Sequence, residues 1–318
     1  MLCYRLIEGV PVRGEAPRPV CFDPDQALVR ILLASPDAPE DVADDFIGIP
    51  GSQMIGIVEQ PPRNRPELRD TRVVISPTVS CGQCDCCRGG AASAWLSRRI
   101  MGVHGLDGGL AEYVVAHESQ LCAVPDNLDA THAVFAFAAG RARRLAGAVS
   151  GQRNAFVTVL GDRPFALLTA QLLARRFDRV RLVGHGVGTA RECERRGLRF
   201  RLLDEIGRRH DQHVVIDCSG GLLANVAVRL LRPKGALIAS ILAPCERTFE
   251  FSELVRIEGT ATGVCGGSVI DGLAAIADGS VDCRGLSGAC VQAPNALARV
   301  GFPVTLVEFR HVCVSGHV

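Results

Sequence analysis

Between Asn154 and Gly186 an apolar strand (Ala155–Leu160), a tight turn at Gly161, a helix and a second strand (Val180–Val183) follow one another. Two strands joined this way run parallel, because a parallel pair needs a long crossover and the helix supplies it. The helix, Pro164–Phe177, places Phe165, Leu168, Leu172 and Leu173 on one side and Arg175 and Arg176 near its C-terminal end. The stretch predicts the opening βαβ unit of a dinucleotide-binding sheet. Its turn, Gly161-Asp162-Arg163-Pro164-Phe165-Ala166, departs from the G-x-G-x-x-G spacing by which such sheets approach a pyrophosphate.

Downstream, Phe200–Leu203, Val214–Cys218, Ala236–Leu242 and Glu258–Val264 read as further strands. Helices are expected between and after them at Thr189–Arg196, Leu222–Leu231 and Val269–Ala277, the second stopped by Pro233 and Gly235. Short apolar strands alternating with helices predict a parallel sheet covered on both faces. Upstream the character is β-rich. Ala27–Leu33, Gly48–Glu59, Arg72–Ser76, the alternating LAEYVVA after Gly109, and Leu121–Pro125 are the strand candidates, and Asp129–Val149 reads as the helix that leads into the sheet. The last forty residues return to β character, with strands expected at Val304–Val307 and His311–Val314.

A chain of 318 residues suits two domains, and a net charge of +1 gives no reason to expect nucleic acid or an anionic membrane surface as partner. No apolar run approaches the ~20 residues of a spanning helix. The start, MLCYRLIEGV, lacks the basic and long apolar segments of a signal peptide, so a cytoplasmic protein is expected. In that compartment the fourteen cysteines are expected as thiols or metal ligands rather than disulfides. Four of them crowd between Cys81 and Cys87.

The segments ALVRILLA, GIPGSQMIGIVE, CGQCDCC, MGVHGLDGGLAEYVV with LCAVPDNL, VTVLGD, VVIDCSGG and LLRPKGALI occur in an order and spacing that resemble the medium-chain, zinc-type alcohol dehydrogenase family. The resemblance runs nearly end to end. It implies an α/β protein with a GroES-like β-domain (1–128 with 281–318) beside a Rossmann domain (129–280), an active site in the cleft between them, and a homodimer built by extending the Rossmann sheet edge.

The same resemblance implies where a catalytic zinc would be held, and each place is altered. Asp37 stands near the first ligand position, Gly51-Ser52-Gln53 replaces the triplet that carries the second, and the third falls near Phe137; the proton-relay hydroxyl would sit near Pro39. Ser52 and Gln53, with Asp37, are the residues left at the catalytic positions. Asp37 and its neighbouring carboxylates read either as a harder-ion site or as a solvated acidic loop. A catalytic zinc is therefore not expected. The structural lobe of the family is matched by Cys81, Cys84 and Cys87, whereas its fourth position is Trp95; Cys86 offers another sulfur, and a metal-free lobe is the other reading.

At the cofactor turn Gly161 keeps the first glycine's role and Ala166 can serve the third, while Arg163 replaces the second and Asp162 lies between. Arg163 pairs with phosphate, fills the site itself, or reflects a displaced turn. The second strand ends in Gly184-His185-Gly186 without an acid, which favours NADP(H), with His185 toward a 2′-phosphate; a plain loop histidine is the other reading. Ser219 and Gly220 follow Asp217 at another strand end. Arg141, Arg143 and Arg144 read as a solvated basic helix face, and His104 as a structural residue.

Three functions follow: zinc-free hydride transfer between NADP(H) and a small-molecule carbonyl, alcohol or alkene; a non-catalytic descendant that binds through the cleft or a dimer surface; and cofactor-independent acid/base chemistry through Asp37 or His104.

Overall fold

The computed structural model describes residues 1–36, 41–89, 97–207, 210–242, 246–292 and 304–309. Its largest regular unit is a six-stranded sheet, all of whose pairings are parallel. The strands are Phe156–Leu160, Arg179–Gly184, Arg199–Leu202, Gln212–Asp217, Leu231–Ala239 and Thr260–Gly263. Across the sheet they lie in the order third, second, first, fourth, fifth, sixth. That order reverses between the first and fourth strands, which is the switch point where such sheets bind ligands.

Two of the helices of this half are shorter than the sequence suggests, whereas the one expected at Thr189–Arg196 runs Val187–Arg195. The helix after the first strand ends at Ala174 rather than Phe177. There the Arg176 guanidinium leaves the helix line and donates to the carbonyls of Ala146 and Val149 at 2.6 and 2.9 Å. The helix expected at Leu222 begins at Ala224 because Gly220 and Gly221 both take left-handed φ of 71° and 88°. Asp129–Val149 divides into Ala130–Ala133, capped by the Asp129 carboxylate on the Thr131 N–H at 2.7 Å, and Ala136–Ala148.

The N-terminal half forms a seven-stranded sheet around the strand Gln26–Ser35, which pairs with Gln53–Gln60 and Tyr113–His117. Ser287–Gln292 and Val304–Glu308 join this sheet from the far end of the chain, Val304–Glu308 through Val307 and Glu308 against Ala34 and Leu33. The strand expected at His311–Val314 lies outside the described residues. One apolar cluster extends from Leu33, Ile55 and Val74 of the β-rich half through Phe137 and Leu145 to Phe165, Leu168 and Ile216 of the parallel sheet. Burial of this kind contributes roughly 25 cal/mol per Å² of apolar surface, so the shared core resists separation of the two halves.

Helix Ala136–Ala148 joins them. It lies against helix Val269–Ala277 so closely that a Cβ on Gly272 would stand 1.8 Å from the Ala136 carbonyl oxygen, and one on Gly140 2.1 Å from that of Ser268. No helix among the described residues is long and apolar enough to cross a membrane.

Candidate functional site

Three strand ends meet at the switch point. Gly161 leaves the first strand with φ of 127°, and a Cβ there would lie 3.1 Å from the Cys218 carbonyl group, so only glycine makes this turn without strain. Its N–H donates to the Val183 carbonyl at 2.8 Å, and the Cys218 N–H donates to the Leu160 carbonyl at 2.9 Å. The turn is thereby fastened to the second and fourth strands together.

Asp162 points along the sheet edge. Its carboxylate accepts the His185 N–H at 2.7 Å and the Gly186 N–H at 3.1 Å. The second strand thus has an acid at its end after all, supplied by the turn rather than by the strand's own sequence. His185 is exposed beside it. Arg163 is half-buried at the N-cap of helix Pro164–Ala174, with Pro164 at its first position. Ala166 is fully buried, so its methyl fits where helix meets strand. Gly161, Asp162, Arg163, Ala166 and His185 therefore come together along the ends of the first two strands.

Ser219 lies next to them with its bonds taken locally. Its hydroxyl donates to Asp217 Oδ1 at 2.5 Å and accepts the Leu223 N–H at 2.8 Å, while the Gly220 carbonyl accepts from Arg247 Nε at 3.1 Å. Asp217 is fully buried, and burial pushes its carboxyl up despite the bonds from Ser219. A folded-state carboxyl that holds its proton to higher pH than the unfolded chain does makes stability fall as pH rises from the usual carboxylate range through the raised value. Asp217→Asn is expected to remove that slope. Urea unfolding from pH 4 upward is then expected to show the variant gaining on the parent as pH rises; a constant gap contradicts this assignment.

The catalytic positions are poor metal ligands. Asp37 and Pro39 lie outside the described residues. Ser52 is buried, and Gln53 opens its strand opposite Ser35. Phe137 is a buried phenyl ring in the shared core. A hydroxyl, an amide and a phenyl ring do not make a zinc donor set, so the described residues do not fit a catalytic zinc. His104 Nδ1 lies 3.3 Å from the Arg98 carbonyl oxygen in a turn after Arg99–Met101, a local contact.

The cysteine lobe is different. Among the described residues Cys81, Cys84 and Cys87 are the one group of three or more such ligands close enough to share an ion. Their sulfurs stand 3.8 Å (Cys81 to Cys87) and 3.4 Å (Cys84 to Cys87) apart. Tetrahedral thiolates at about 2.3 Å from zinc sit roughly 3.8 Å from one another. Backbone N–H groups of Gln83 and Cys84 lower the Cys81 thiol to about 7, which favours the thiolate a metal requires. Trp95 and the side chain of Cys86 lie outside the described residues.

Contrary to the sequence reading, the basic helix face is not solvated throughout. Arg143 and Arg144 are exposed, but Arg141 is 4% exposed. Its guanidinium lies 3.9 Å from the centroid of the Phe165 ring and 6.0 Å from that of Phe137, with Nη2 3.9 Å from Asp41 Oδ1. The sequence carries a signal for this. Phe137, Arg141 and Leu145 recur at four-residue intervals, which places the arginine on the helix's apolar stripe.

The description "alcohol dehydrogenase GroES-like domain" matches residues 23–126. The starvation-sensing protein RspB of Escherichia coli K12 is 31% identical over 102 residues, 32% of this chain and 30% of that protein. The matched part thus spans less than a third of that relative's length. A Sinorhizobium meliloti 1021 structure bound to NADP superposes with a TM-score of 0.79 at 20% identity, over 96% of this chain and 98% of that one. An RspB structure from Escherichia coli CFT073 complexed with NADH gives a TM-score of 0.75 at 18% identity, over 92% of both chains.

Proposed function

We propose that this chain is an oxidoreductase of the medium-chain dehydrogenase/reductase type that binds a nicotinamide dinucleotide at the Gly161 turn and acts on a small carbonyl or alcohol substrate without a catalytic zinc. The observation that carries this is the Gly161 turn itself, fastened at the switch point of a parallel sheet with a close backbone approach that no side chain obstructs at its first position. Fold likeness alone is a weak warrant for chemistry, so the roles are assigned residue by residue.

Gly161 and the start of helix Pro164–Ala174 form the side of the site that faces a pyrophosphate, where helix N-termini favour anions. Arg163 sits at that N-cap and supplies a guanidinium suited to phosphate. At the ribose end Asp162 and His185 oppose one another: the carboxylate favours free hydroxyls, and an imidazolium favours the 2′-phosphate of NADP(H). NADP(H) is the form expected from His185, and Asp162 is the group that resists it. When bound, the nicotinamide supplies a hydride. Ser52 and Gln53 are the polar residues this chain keeps at the family's catalytic positions, and they orient substrate rather than hold metal. The exposed sixth strand, Thr260–Gly263, is the edge through which a homodimer is expected to form.

The test is metal-resolved. The purified chain is expected to carry at most one zinc ion, in the lobe, and Cys81→Ser to carry none by elemental analysis. Reduction of a carbonyl panel by NADPH or NADH is then expected to proceed at equal rates in the parent and in any Cys81→Ser fraction that stays folded. Loss of turnover together with loss of the ion, in folded protein, contradicts the zinc-free assignment. No turnover on any panel with either nucleotide favours the non-catalytic reading, for which the simultaneous change at the metal positions and at the second glycine position, now Arg163, is the specific observation.

A further inference from the structure

Arg141 is a charged side chain 5% exposed, whose Nε and Nη2 have no hydrogen-bond partner among the described residues. Leaving such donors unmet in the interior is costly, and for a charged group more so. These two atoms form one edge of the guanidinium fork, the edge that meets a carboxylate through two parallel N–H···O bonds. Its surroundings come from both halves of the molecule: Asp41 from the β-rich half, Phe137 on the joining helix, and Phe165 in the first turn of the helix after Gly161. Arg141 and Asp41 both act electrostatically on Cys218, which follows the fourth strand at the switch point. The fork therefore opens where the two halves and the sheet edge converge.

We infer that Arg141 is the receptor for the carboxylate of a small substrate, so that the oxidoreductase acts on 2-oxo or 2-hydroxy acids or similar monoanions; the substrate role rests on the cleft reading above, the anion site does not. Phe165 and Phe137 wall the fork with apolar surface, which excludes water and strengthens an ion pair formed there. Asp41, 3.9 Å from Nη2, is too distant to hydrogen-bond. Its charge repels a dianion more than a monoanion, which selects carboxylate over phosphate. A carboxylate seated against the fork satisfies both donors.

The experiment is calorimetric titration of the full chain with pyruvate, its neutral analogue pyruvamide, and inorganic phosphate, each with and without NADPH. Saturable pyruvate binding is expected, with pyruvamide and phosphate weaker by about tenfold or more. Arg141→Lys keeps the charge but loses the fork, and is expected to weaken pyruvate by about tenfold, while Asp41→Asn, which leaves Arg141 untouched, is expected to tighten it severalfold. Equal affinity for pyruvate and pyruvamide, an unchanged Arg141→Lys variant, or no saturable pyruvate binding to either the parent or Asp41→Asn overturns the inference. Pyruvate binding through Arg141 without any NADPH binding removes the dinucleotide proposal and leaves the anion site standing. NADPH binding without pyruvate binding does the reverse.

Discussion

Gly272→Ala is expected to unfold this protein under conditions where the parent is stable, with a loss of more than ~3 kcal/mol. A single methyl is rarely so damaging. Here its carbon would stand 1.8 Å from the Ala136 carbonyl oxygen and 2.8 Å from the Gly140 nitrogen, backbone atoms that cannot swing aside. The two helices must therefore separate, and the core that links the β-rich half to the parallel sheet separates with them. Gly147, in the same joining helix, provides the contrast: it is exposed, and nothing lies within 4 Å of an added Cβ. Gly147→Ala is expected to stabilise by up to about 1 kcal/mol, because alanine is the better helix former. Urea midpoints of the two variants measure both; a Gly272→Ala midpoint close to the parent's contradicts the packing described.

Arg163→Glu is expected to weaken nucleotide binding by about a hundredfold while leaving thermal stability nearly unchanged. The residue is half-buried and extended at the N-cap, where a carboxylate suits the positive end of the helix dipole. A carboxylate in its place opposes a pyrophosphate in the region where the helix N-terminus favours one. If Arg163 instead fills the site, as the sequence leaves open, the substitution empties it and binding strengthens. The direction of change in a fluorescence titration with NADPH separates the two, and an unchanged affinity would place the pyrophosphate elsewhere.

The fold was largely legible before the structure, because it is written in local signals. Apolar strands, their glycine turns and the helix periodicity between them fix a parallel sheet, and Val269–Ala277 agrees residue for residue. Ends were less legible where a tertiary contact decides them. Arg176 turns away to cap the joining helix, and the fifth strand runs Leu231–Ala239 instead of Ala236–Leu242, starting directly where the preceding helix ends at Leu230 and pairing Gln212 with Leu231. The site was legible only where one residue's identity decides its role, as at Gly161. Asp162 reaches the end of a strand that begins many residues later, and no spacing rule points there. Arg141 carried its signal in the four-residue rhythm with Phe137 and Leu145. A charge on an apolar stripe reads as solvated until the ring that covers it, Phe165, is seen.

Calorimetric titration of NADPH, and in parallel NADH, into the folded 318-residue chain tests the central claim most directly. One saturable site per chain is expected, with a dissociation constant in the range of about 1–100 μM and a matching rise in melting temperature, since a ligand held only by the native state must stabilise it. A folded protein that shows neither heat nor stabilisation at about millimolar concentrations of both nucleotides contradicts it.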